Sequence, residues 1–230
     1  MDFFDSLIND VYSALNDLPQ KTYEHSVKDC WTDIGYNQVI LQRDTAFQLS
    51  GTGFNLITTS DIRNQIIVIG DDLQNIRDDR PFARISLVQI DDENDEQSAY
   101  ELIRKIEYVK YHYFPDGFML RTSSRSHKEA VRVAKTAVRD GISFQKTGSL
   151  LIEGYMKIPS VKGVCVIYVT YPEIDYSAFE KLAEKNNRIT ETLNHIVNSV
   201  NFDCSTCNLK AVCDEVEGMK ELHFKMNGMK

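Results

Sequence analysis

The chain has 230 residues, 42% of them apolar and 26% charged, with a formal net charge of −8. That length buries a core in one large domain or two small ones, no apolar run approaches the roughly 20 residues that span a bilayer, and the acidic balance excludes the bulk phosphate neutralisation behind nucleic-acid binding. The start, 1-MDFFDSLINDVYSALNDLP-19, is acidic and amphipathic, unlike the basic start and apolar core of a signal peptide. A cytoplasmic location with reduced thiols is therefore expected.

In chain order, Phe3, Phe4, Leu7, Val11, Leu15 and Leu18 recur at helical spacing and predict a helix over 3–18, closed by Pro19. Residues 20–36 are polar and irregular and carry Cys30 and the single tryptophan, Trp31. Short strand-like runs follow at 38–42, 54–59 and 66–70, separated by Gly, Asp and Asn as in hairpins. A charged stretch, 71–81, precedes a strand at 82–90, and the acidic link 91-DDENDE-96 caps a helix over 97–113. Residues 118–122 read as a strand and 126–139 as a helix with Ala130, Val131, Ala134, Ala137 and Val138 inside, ending at Gly141. A further helical pattern spans 142–158, though Gly148 and Gly154 weaken it. The run 163-GVCVIYVTY-171 is apolar on both faces, so it predicts a central buried strand. The clearest helix covers 176–200, with Tyr176, Phe179, Leu182, Ala183, Ile189, Leu193, Ile196 and Val197 on one stripe.

These elements predict an α+β or α/β domain: a mixed sheet with packed helices and a C-terminal, cysteine-containing helical tail. Its parts are a helix and strand-rich region over 1–80, an α/β core over 81–200 and the tail over 201–230, together one compact unit.

The tail holds the chemistry. Three of five cysteines lie at Cys204-x2-Cys207-x5-Cys213, and an odd, clustered count argues against a disulfide framework. A C-x2-C turn aims two sulfurs at one point, and thiolates hold Zn2+ or iron–sulfur clusters. Cys213 falls on a helix-like stripe of Leu209, Val212, Val216, Met219 and Leu222. The plain alternative is three reduced thiols on a solvated tail.

A fourth ligand is needed. His223 follows Cys213 by ten residues, about 15 Å along an unbroken helix, so it serves only if the helix breaks, for example at Gly218. Cys165 sits in the buried strand, where a cysteine acts as a small hydrophobe. Cys30, in a polar loop, is the first choice, ahead of His223 and then Cys165.

Other signatures are missing. There is no Walker loop, no dinucleotide-binding glycine motif and no H-E-x-x-H. Gly51-Thr52-Gly53 reads as a turn. The histidines His25, His112, His127 and His195 are scattered, and the acid pairs Asp71-Asp72 and Asp91-Asp92 read as solvated charge runs.

The segment 118-FMLRTSSRSHKEAVRVAKTAVRDGISFQKTGSLLIEGYMKIPSVKGVCVIYVTYP-172, running on to 204-CSTCNLKAVC-213, resembles the β subunit of the carbon monoxide dehydrogenase/acetyl-CoA synthase complex. The resemblance covers residues 80–213 and lies in the order of elements: R-x-S strand, two helices, a strand like CVIYVT, a long helix, then cysteines. It implies a [4Fe–4S] cluster, which that family holds on C-x2-C-x8-C-x9-C. Cys204, Cys207 and Cys213 match the first three ligands, and His223 falls where the fourth cysteine stands. The second gap here is x5 rather than x8, and no Cys-Gly-Cys nickel motif follows, so acetyl-CoA synthesis by this polypeptide alone is not expected. The family's central domain also contacts coenzyme A through arginines. Arg121, Arg125, Lys128, Arg132, Lys135 and Arg139 crowd one segment here, and from Arg125 on they share a predicted helix face; the alternative is a solvated face.

Three readings follow. One is a stand-alone acetyl-CoA synthase-like binding module with an iron–sulfur cluster, accessory to CO and acetyl-CoA one-carbon metabolism and partnered by subunits of such a system. The second is a coenzyme A-dependent acyl or methyl transfer subunit that needs a partner. The third is a zinc-clamped structural domain without catalysis. None involves nucleic acid or membrane.

Overall fold

The computed structural model describes residues 4–26, 46–91, 96–112, 118–122, 128–134, 141–197 and 210–211. Its elements run α1 (Asp5–Leu15), β1 (Gln20–Glu24), β2 (Ala46–Thr58), β3 (Gln65–Ile69), β4 (Arg80–Ile90), α2 (Glu96–His112), β5 (Phe118–Thr122), β6 (Lys128–Ala134), α3 (Phe144–Met156), β7 (Val161–Val169) and α4 (Tyr176–Val197). The strands form one mixed sheet in the order β1-β3-β7-β4-β2-β6-β5. Two neighbouring pairs are parallel, β3 with β7 and β2 with β4, and the other four are antiparallel. This is the expected α+β architecture, a mixed sheet with helices packed on it.

Alternation along the strands gives the sheet two buried faces. One face carries Phe82 and Tyr168, which meet Phe144 of α3 at ring-centroid distances of 5.9 and 4.3 Å. The other carries Thr58, whose hydroxyl donates to Asp5 of α1 at 3.3 Å. Strand β7 sits between β3 and β4, and every side chain from Val164 to Val169 is at most 2% exposed. A strand apolar on both sides needs helices on both sides, which explains its continuous V/I/C/Y run.

Local chemistry sets several boundaries. Leu7, Ile8, Val11 and Leu15 form the buried stripe of α1, and Pro19 follows, consistent with a helix that ends before proline. Ser143 caps α3 by accepting from the Lys146 amide at 3.2 Å. Gly70 closes β3 with φ of +100°, and an added Cβ there would stand 2.5 Å from the Tyr171 amide nitrogen. Only glycine fits that turn without strain.

Four expectations change. The predicted helix over 126–139 contains a strand, β6, paired to β2 on one side and β5 on the other. Residues 128-KEAVRVA-134 also alternate, and pairing on both sides outweighs helix propensity. The irregular stretch after Pro19 contains edge strand β1, whose QKTYE is exposed apart from half-buried Tyr23 and carries no apolar alternation. Gly51-Thr52-Gly53 is no turn but lies inside β2, which begins at Ala46. The early strands do not form successive hairpins either, since β2 and β3 are not neighbours. The run expected as a strand at 38–42 lies outside the described residues. No helix among the described residues is long and apolar enough to cross a membrane.

Candidate functional site

Cys165 is the one described cysteine. It lies mid-strand in β7 at 2% exposure, with the Gln65 amide nitrogen 3.8 Å from its sulfur. Burial pushes its thiol up to about 11. A thiol held protonated and sealed between helices is a poor metal ligand, because the thiolate is the ligating form. Its role is packing, as the apolar strand predicts.

Cys30, Cys204, Cys207, Cys213 and His223 lie outside the described residues, as does Arg125. Of the tail, Lys210 and Ala211 are described and are helical, within the stretch between Cys207 and Cys213. Among the described residues no group of three or more His, Cys, Asp or Glu side chains is placed to hold a metal.

The arginine-rich segment needs a different geometry from the one expected. Arg121 lies on β5, and Lys128 and Arg132 on β6, so no helix face joins them. In the strand register Arg121 is paired with Ala130, between Lys128 and Arg132 in the chain. Arg121, Lys128 and Arg132 thus lie on two paired strands rather than on one helix, and Lys135 and Arg139 fall outside the described residues.

Some polar features carry no periodic signal and were not anticipated. Under α3, the Tyr155 hydroxyl donates to the Asn55 carbonyl oxygen at 2.8 Å and lies 3.4 Å from the Ser86 hydroxyl. Asn55 in turn donates to Glu107 of α2 at 2.7 Å. This network ties α2, α3, β2 and β4 together. Arg84, in the centre of β4, is fully buried between Gly53 and Tyr168 in the ladder. His25 and Glu153 approach to 2.7 Å, joining the residue after β1 to α3.

The acid pair at 71–72 splits into two roles. Asp71 is exposed and pairs with Arg80 at 2.8 Å. Asp72 is half-buried, and one carboxylate oxygen accepts from the Leu73 amide at 2.7 Å and the Phe144 amide at 2.8 Å. Burial raises its pKa above the usual carboxylate value, while the two amide bonds and Lys21 pull the other way. Asp72 thus pins the loop after β3 to the start of α3, and only Asp71 behaves as the solvated charge expected.

An open groove of about 470 Å³ runs between α2 and the end of α3. Arg104, Lys105 and Tyr108 line it from α2, and Lys157 and Ile158 from beyond α3. The spacing Arg104-Lys105-x2-Tyr108 puts these side chains along one side of a helix, a pattern visible in the sequence once the helix is placed.

Compared with known proteins, the chain matches no family model and no curated sequence.

Proposed function

We propose that the chain is a cytoplasmic binding module whose cysteine tail holds an iron–sulfur cluster, as an accessory to CO and acetyl-CoA one-carbon chemistry. The observation that carries this reading is the spacing Cys204-x2-Cys207-x5-Cys213, which begins seven residues after the end of α4 at Val197. The order α3, β7, α4 and then cysteines is the order that the resemblance to the acetyl-CoA synthase β subunit implies. The donor set fits the group chemically, because short-spaced thiolates are the usual ligands of such clusters. Burial of Cys165 supports Cys30 or His223 as the fourth ligand. The cluster, when bound, supplies one-electron transfer; this chain's residues hold it, shield it and set its potential through burial and hydrogen bonds to sulfur.

Arg121 on β5 and Lys128 and Arg132 on β6 remain the residues proposed for coenzyme A or another anion, with Arg125 between them in sequence. Subunits of a CO dehydrogenase-type system are the proposed partners.

The absorption spectrum of anaerobically purified full chain tests the reading. A broad band near ~400 nm that bleaches with dithionite is expected, since iron–sulfur clusters absorb there and d10 zinc is colourless. A colourless protein containing zinc contradicts it and leaves a structural clamp.

A further inference from the structure

The groove between α2 and α3 opposes the chain's overall charge. The molecule carries a net −8, yet the described residues that line this groove include Arg104, Lys105 and Lys157 beside Glu101. Two helices supply the three cations, so their grouping belongs to the tertiary fold rather than to one basic helix face. Lys157 is the C-cap residue of α3, where the helix's negative end already favours a cation.

The groove is not only charged. Tyr108 stands in its wall at 58% exposure, the most exposed large hydrophobic among the described residues. Gly154 lines the groove from the interior of α3, where glycine costs about 1 kcal/mol relative to alanine.

We propose that this groove binds a nucleoside diphosphate, with its phosphates on Arg104, Lys105 and Lys157 and its base against the Tyr108 ring. Guanidinium and ammonium groups recognise phosphate through charge-assisted hydrogen bonds, and an exposed aromatic face stacks on any base. The volume suits a small ligand rather than a polymer, and the chain's net negative charge disfavours long polyanions. None of the residues lining the groove is among the proposed cluster ligands, and the proposal does not depend on the cluster.

Calorimetric titration of the full chain with ADP, pyrophosphate and adenosine is the test. ADP is expected to bind with a Kd below about 1 mM, more tightly than pyrophosphate or adenosine. Arg104→Ala and Lys105→Ala each weaken ADP about tenfold or more, the effect of losing a charged hydrogen bond. Tyr108→Ala weakens ADP several-fold and leaves pyrophosphate unchanged. Each variant is first checked for an unchanged thermal melt. The proposal is overturned if ADP fails to bind at millimolar concentration, or binds equally to wild type and to folded Arg104→Ala and Lys105→Ala. Because the readout involves no iron, failure here and failure of the cluster reading appear in separate measurements.

Discussion

At the scale of single residues, the informative side chains are those whose surroundings conflict with their type. Asp72 is one. Its raised folded pKa means that its contribution to stability is full below the unfolded carboxylate value and is lost as pH rises through the folded value. Asp72→Asn keeps an acceptor for the Leu73 and Phe144 amides without the charge, so its stability relative to wild type rises between pH 3 and pH 7, with those endpoints set about the ordinary carboxylate range. Asp72→Ala loses the acceptor and costs about 1–2 kcal/mol at either pH. Urea denaturation of the three proteins at both pH values checks the sign. Gly148 is another. A Cβ there would stand 2.5 Å from Cγ1 of Ile66 and 3.3 Å from the Tyr168 ring. Gly148→Ala is therefore expected to lower stability by about 1–3 kcal/mol through overpacking, although alanine favours the helix by about 1 kcal/mol; an increase in the denaturation midpoint contradicts the close approach. In the sequence Gly148 only weakened a helix assignment. Its packing role was illegible because Ile66, which it meets, lies far away in the chain.

Elements were legible where one period dominated and ambiguous where two coexisted. The stripe of α4 and the apolar run of β7 each admit one reading, and both lie close to their expected limits. Residues 128–134 satisfy helical and alternating patterns together, and the neighbouring strand β2 decides between them. Val131 pairs with Leu49 on one side and Leu120 on the other. Its amide thus faces a partner strand whichever way it points, and Val131→Pro is expected to cost about 3 kcal/mol or more. A thermal melt reads that loss; a variant as stable as wild type contradicts pairing on both sides. The basic residues near this strand illustrate the same lesson. Their sequence proximity was visible, but the paired strands that carry them followed only from the register.

For the whole molecule, the chain's first 80 residues are interleaved with the rest rather than appended to it. β2 lies between β4 and β6, and β3 between β1 and β7. Removing residues 1–80 leaves β4 without its parallel partner and β7 without β3, exposing apolar edges in the middle of the sheet. A fragment of residues 81–230 is therefore expected not to fold, with collapsed amide dispersion in its proton NMR spectrum; a dispersed, cooperative fragment contradicts the single-sheet account. The overall class was legible from alternating helical and strand patterns. The strand order was not, because long-range pairing leaves no local trace.

The central claim concerns the cysteine tail, and its most direct measurement is metal content. Iron, acid-labile sulfide and zinc are quantified in the full chain after anaerobic purification and reconstitution, alongside Cys204→Ser, Cys207→Ser, Cys213→Ser and Cys165→Ser. The account predicts about four irons and about four sulfides per chain, as in a [4Fe–4S] cluster, lost in each of the three tail variants and kept in Cys165→Ser. Stoichiometric zinc without sulfide, or full iron retained in any tail variant, contradicts it.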